Sequence, residues 1–306
     1  MKSALIKALL YGCLYLVAAI PSSCVEPFAR FLGWFYALFP SRDRSLIASN
    51  VQRVYGLAPH SNYAKTFQKQ VFQSQVACFI ETIQANLSRQ EKVSVEGLPE
   101  LGQVLKECKR EDQGLIIVTA HCGSWEFVAR SMVKASGRRF FALAKPSHVP
   151  EFTALLDDLR ERMQTDVLWT DSKNLLRDMI KVLKAGDCLG FVMDQKPEGR
   201  VGPVVDFLGQ PTEFVSGPAK LAARHQCPVL AVFCMRTGPW RYRLIYRLIV
   251  GADHGLSDEI ALTQMMATAI EECIKVYPEQ WVWNYKRWRS PMSKALPVTV
   301  EPVPVS

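Results

Sequence analysis

The stretch LIIVTAHCGSWEFVARSMV, residues 115–133, decides the fold. Its first six residues form a short apolar run rich in β-branched side chains, which reads as a buried strand. The run passes straight into His121, and Gly123 and Ser124 then mark the cap of a helix. Outward from there the same alternation of short apolar runs with helical segments recurs. FFALAK at 140–145, VLWT at 167–170, LGFVMD at 189–194, VLAVFCMR at 229–236 and YRLIYRLIV at 242–250 are the further strand candidates. Strands alternating with helices predict an α/β domain with a central mixed sheet flanked by helices. In such sheets ligands gather at the carboxyl ends of the strands, which is where His121 falls.

Toward the N-terminus the character changes. Residues 61–87 lack Gly and Pro and place Phe72, Val76, Phe79 and Ile83 at helical spacing, so helices packed on a core are expected there. Ala4 to Ile20 is apolar apart from Lys7, and Phe28 to Phe39 carries only Arg30 as a charge. Both blocks fall short of the roughly 20 residues of a spanning helix. A short span or a shallow hairpin in one leaflet is expected, in preference to a cleaved signal or a pair of core helices. The division is therefore 1–40 as a membrane-associated segment, 41–290 as a catalytic domain and 291–306, rich in Pro and Val without periodicity, as a disordered tail.

Nine cysteines without a C-x-x-C pair argue against a disulfide framework and a zinc knuckle and point to a reducing, cytoplasmic setting. A net charge of +8 implies an anionic partner without choosing between lipid, protein and nucleic acid. The segment YPEQWVWNYKRWR, residues 277–289, interleaves Trp281, Trp283, Tyr285 and Trp288 with Lys286, Arg287 and Arg289. Such alternation suits a membrane interface holding phosphate-bearing lipid, or single-stranded nucleic acid, and the apolar N-terminus favours lipid. Otherwise the tryptophans are core and the cations a solvated face.

For chemistry, His121 in the strand-to-helix turn and Glu126 in the first helical turn form an H-x4-E pair. Glu126 is expected to hold one imidazole nitrogen, leaving the other to take a proton from a hydroxyl. The bland alternative is a strand end followed by a carboxylate on a helix dipole. GSW at 123–125 lacks the serine-hydrolase elbow, and Cys122 diverges from its neighbour. His148 is the only nearby histidine, so no metal is expected. The segment MDQKPEGRVGPVVDFLGQPTEFVSGPAKLAARH, residues 193–225, opens with a polar cluster at a strand end and supplies Gly199, Gly202, Gly209 and Gly217. Its bland reading is a loop and hairpin before a helix.

Taken in order, the apolar N-terminus, R-x5-N-V from Arg44, HCGSWE, LAKP, MDQ…DFLG…SGPAKLA and PEQWVW-x-x-KR resemble the late acyltransferases of lipid A biosynthesis, within the lysophospholipid acyltransferase superfamily. The resemblance implies transfer of a fatty acyl chain from acyl carrier protein to a hydroxyl of a phosphorylated glucosamine lipid, at the cytoplasmic face of the inner membrane. No cofactor and no nucleic acid are implied. By position His121 is the general base, Glu126 its carboxylate, and Asp194 and Gln195 the substrate-lining DQ segment. A family arginine falls on Arg160 or Arg162. Lys145 stands where many relatives have arginine, which alters the phosphate contact from a planar fork to a point charge. Tyr285 stands where histidine is usual. Lys286 and Arg287 are the expected lipid-facing cations, and the oxyanion is left to backbone N–H groups at Gly123, to Lys145 or to Arg160. Alternatives are another glycolipid acceptor, an acyl thioesterase and a non-enzymatic membrane-binding module.

Overall fold

The central strand is buried along its whole length because both of its faces are covered. In the computed structural model Leu115–Thr119 is fully buried. Ile116 and Val118 pack into one apolar cluster, and Leu115 and Ile117 into another on the opposite face. Such two-sided burial produces a continuous apolar run in place of alternation. The structure describes residues 2–87, 93–107, 113–197 and 202–288. The expected tail at 291–306, Arg289 and Gly199 lie outside them.

In chain order the helices are α1 Lys2–Ala18, α2 Ser22–Leu38, α3 Arg42–Tyr55, α4 Asn62–Leu87, α5 Leu98–Glu107, α6 Trp125–Ser136, α7 Pro150–Arg162, α8 Leu175–Lys184, α9 Gly217–His225 and α10 Glu259–Val276. The strands are β1 Ser94–Glu96, β2 Leu115–Thr119, β3 Phe140–Ala144, β4 Thr165–Trp169, β5 Cys188–Val192, β6 Val204–Phe207, β7 Gln210–Glu213, β8 Val229–Gly238 and β9 Arg241–Val250. Seven of them form one mixed sheet in the order β1-β9-β8-β2-β5-β3-β4. β8 and β9 are antiparallel, while the other neighbours run parallel. All six expected strands are present, and β2 stands at the middle. The segment after Met193 supplies the separate β6–β7 hairpin and then α9.

α1 and α2 meet at a bend of 108°, and no single described helix is long and apolar enough to cross a membrane. α2 buries Val25, Ala29 and Gly33. Its other side leaves Phe31, Trp34 and Phe35 exposed, as α1 leaves Leu5, Leu9 and Leu16. One buried charge cluster ties α2 and α4 to the sheet. Glu81, fully buried, accepts hydrogen bonds from Arg236 at 3.0 and 2.8 Å, from the Trp240 N–H at 3.2 Å and from the Tyr242 hydroxyl at 2.6 Å. Arg236 also donates to Glu26 of α2 at 3.0 Å.

Candidate active site

Strand register brings the site together. β2 and β5 are parallel neighbours with Thr119 opposite Val192, so two residues further on His121 faces Asp194. The Met193 N–H still donates to the Thr119 carbonyl at 3.1 Å, which holds the two strand ends in step. His121 Nδ1 lies 2.7 Å from Asp194 Oδ1, and the His121 backbone N–H donates to Oδ2 at 3.1 Å. The Trp281 indole donates to the same Oδ2 at 2.8 Å.

Burial disfavours the imidazolium, but the charge and hydrogen bond of Asp194, with the charge of Glu126, outweigh it and hold His121 above its ordinary pKa. Burial likewise opposes the Asp194 carboxylate. The charge and hydrogen bond of His121, then the Trp281 indole, outweigh that and hold Asp194 below its usual range. An ionised Asp194 fixes the proton of neutral His121 on Nδ1, so Nε2 presents a lone pair. Gln195, exposed, places its amide nitrogen 3.5 Å from Nε2.

Glu126 is therefore not the group that holds the imidazole. It stands in the first turn of α6 and pairs across to α7, accepting from Arg160 at 3.1 Å. The spacing H-x4-E placed it near the ring, but the neighbouring strand end supplies the closer carboxylate.

The turn after β2 explains its own sequence. Gly123 has φ +54°, and a Cβ there would stand 2.3 Å from the Cys234 carbonyl oxygen, so only glycine fits. That tight approach consumes the expected oxyanion donors. The Gly123 N–H donates to the Gln280 carbonyl and the Ser124 N–H to the Cys234 carbonyl, each at 3.0 Å. Those two N–H groups are thus occupied.

A cavity of about 660 Å³ opens between α4, α7 and the start of α6. His121, Trp125, Glu126 and Arg160 line it together with apolar side chains such as Phe79, Ile83, Leu156, Leu159 and Met163. Its size is that of a pocket able to enclose a small molecule or chain. The Trp125 ring stands edge-on to the His121 ring, with centroids 5.1 Å apart. Arg160 is thus the arginine of the pair that reaches the cavity, whereas Arg162 bonds Asp158 at 3.2 Å on the outer side of α7. Lys145 is exposed after β3 and is not among the lining residues.

The C-terminal aromatic segment is core, not interface. Trp281, Trp283 and Arg287 are all but inaccessible. Each indole finds an acceptor inside: Trp283 donates to the Pro278 carbonyl at 2.6 Å and Trp288 to Thr212 Oγ1 at 2.8 Å. Arg287 donates to the Glu213 carbonyl at 2.7 Å, with its guanidinium 4.5 Å from the Phe214 ring centre. It does not reach a lipid surface. Lys286 alone of the pair is exposed. The alternation of Trp281 with cations suits a membrane face as well as a core, and nothing in it marks Trp281 as a partner of Asp194. Among the described residues no group of three or more His, Cys, Asp or Glu side chains is placed to hold a metal.

Residues 1–290 match the family model of the bacterial lipid A biosynthesis acyltransferases. The lipid A biosynthesis lauroyltransferase of Escherichia coli is 22% identical over 290 residues, 91% of this chain and 90% of that protein. The phosphatidylinositol mannoside acyltransferase of Mycobacterium tuberculosis is 25% identical over 186 residues. That match takes in 60% of this chain and spans only 57% of the relative. The equivalent protein of Mycolicibacterium smegmatis is 25% identical over 183 residues, 59% of each chain. A family match across nearly the whole length, over a fold whose central strand delivers His121 to a carboxylate, settles kinship: the chain belongs to the bacterial lipid A biosynthesis acyltransferase family.

Proposed function

We propose that the protein moves a fatty acyl chain from acyl carrier protein to a hydroxyl of a lipid A precursor, at the cytoplasmic face of the inner membrane, with His121 as general base. The observation that carries this reading is an imidazole whose Nδ1 is held by Asp194 and which lines a mainly apolar cavity. Family membership supplies the reaction class. In the reaction Nε2 takes the proton of the acceptor hydroxyl, and the oxygen attacks the thioester carbonyl. The C–S bond then breaks and the thiolate leaves with the proton returned by the imidazolium. Asp194 stabilises the charged ring throughout. Of the cations considered for the oxyanion, Arg160 is the one that lines the cavity. Residues 41–290 carry this chemistry, and 1–40 attach the protein to the membrane through the exposed faces of α1 and α2.

The test is acyl transfer by the purified protein from acyl carrier protein thioesters, with lipid products read by mass spectrometry. His121→Ala is expected to fold and to lose roughly 10²–10⁴-fold in rate. Normal turnover in that variant would remove the histidine from the mechanism. A panel that includes mannosylated phospholipid addresses the second acceptor, favoured by the names of the mycobacterial relatives. Release of free fatty acid without acylated lipid would identify a thioesterase instead.

A further inference from the structure

The segment around Trp281 closes on the catalytic turn at three points. The Gln280 carbonyl accepts from the Gly123 N–H at 3.0 Å, and the Val282 N–H donates to the His121 carbonyl at 3.0 Å. Between these two backbone bonds the Trp281 side chain reaches Asp194. The indole cannot swing away, because its ring packs against those of Trp283, Phe207 and Trp288, with centroids 4.7, 5.9 and 6.2 Å away. Asp194 Oδ2 thereby receives two N–H groups, one from the backbone of His121 and one from the indole. Only Oδ1 remains for the imidazole, and the plane of the carboxylate is fixed relative to the ring.

We propose that Trp281 is a positioning residue of this acyltransferase, orienting Asp194 through its indole N–H so that Nε2 of His121 points into the cavity. The role rests on the reading of His121 as base. The charged groups that bear on the ring are Asp194 at the end of β5 and Glu126 on α6, the latter bound by Arg160 of α7. Asp194 itself also feels the buried guanidinium of Arg287. The neighbouring Cys122 thiol is pushed far up by burial and stays neutral. A carboxylate that loses the indole donor keeps its charge and, no longer sharing it with the indole, binds the imidazolium proton more strongly, while its freedom to rotate lowers the rate.

The experiment is the pH dependence of kcat in Trp281→Phe, which keeps a ring and removes the donor. The expected result is a fall in kcat of about tenfold, the scale of one hydrogen bond to a charged group. KM for donor and acceptor should stay within about twofold. The acid limb of the profile should move up by about half a unit. Replacement of Trp281 by benzothienylalanine, with sulfur in place of the N–H, gives the same reading should the phenylalanine variant fail to fold. An acid limb left at its wild-type position in a folded variant overturns the proposal, whatever the rate. His121→Ala run in parallel separates the two ideas. Full turnover there defeats the base itself, whereas an inactive His121→Ala with an unmoved limb in Trp281→Phe defeats only the role of Trp281.

Discussion

Asp194 accepts three N–H groups on two oxygens, and this decides which carboxylate serves His121. Those donors hold it below its usual range, so it is ionised wherever the base works, and its charge favours the imidazolium. The base must be neutral to act, so activity should rise with pH through a value above the ordinary histidine pKa, as the raised pKa of His121 requires. Asp194→Asn removes the charge that opposes desolvation. Burial then prevails, the acid limb should move down, and an amide that can turn its nitrogen toward Nδ1 should hold part of the population in the wrong tautomer. A fall in kcat of roughly 10²–10⁴-fold is expected. Glu126→Gln should be milder, about tenfold, with a smaller downward move of the limb, because Glu126 acts on the ring through charge alone and its hydrogen bonds go to Arg160. Profiles of both variants decide the matter: a larger loss for Glu126→Gln would return the primary role to that residue.

Between elements, Glu81 makes a buried join from α4 to β8, with Arg236 extending it to α2. Because the carboxylate is wholly buried, its stability depends on the cation beside it. Arg236→Met should leave that charge unpaired and cost about 3–5 kcal/mol, while Tyr242→Phe, which removes one neutral donor, should cost about 1–2 kcal/mol. Denaturant midpoints at constant m-value measure both, and equal costs would mean that the charge is not what the join relies on. These long-range joins are also what the sequence concealed. β2 and α4 were legible because their patterns are local: a β-branched run in one case, helical spacing without Gly or Pro in the other. Helical spacing cannot distinguish a face against the core from a face lining a cavity, and α4 has both. β1, only three residues long, is too short to show a period. His121 and Asp194 are 73 positions apart, and only strand register makes them neighbours. Glu126 was the nearer carboxylate along the chain, so spacing favoured it. The aromatic and basic alternation at 281–288 is ambiguous for the same reason, since the acceptors of the Trp281 and Trp288 indoles come from distant segments.

At the scale of the whole molecule, the proposed attachment to lipid rests on the exposed apolar faces of the N-terminal helices. With Trp281 and Trp283 buried, the C-terminal segment offers no aromatic anchor, while the α1–α2 pair leaves Leu5, Leu9, Leu16, Phe31 and Phe35 exposed. Deleting Met1–Phe39 would be a poor test, because α2 also buries Val25 and Ala29 and its Glu26 reaches Arg236, so the loss would uncover core. Substitutions confined to the outer faces are cleaner. Leu9, Leu16 and Phe31 changed together to Ser should leave the thermal midpoint nearly unchanged, since all three are more than half exposed. Each gives up roughly 1 kcal/mol of transfer into lipid, half or less of the value for full burial, so together they should weaken partitioning by about 10²-fold. Co-flotation with vesicles of mixed zwitterionic and anionic lipid reads this directly. The remaining binding should then depend strongly on salt, because the net charge of +8 attracts anionic headgroups over only about 8–10 Å at physiological ionic strength. Unchanged flotation of the triple variant at high salt would show that lipid contacts the protein elsewhere.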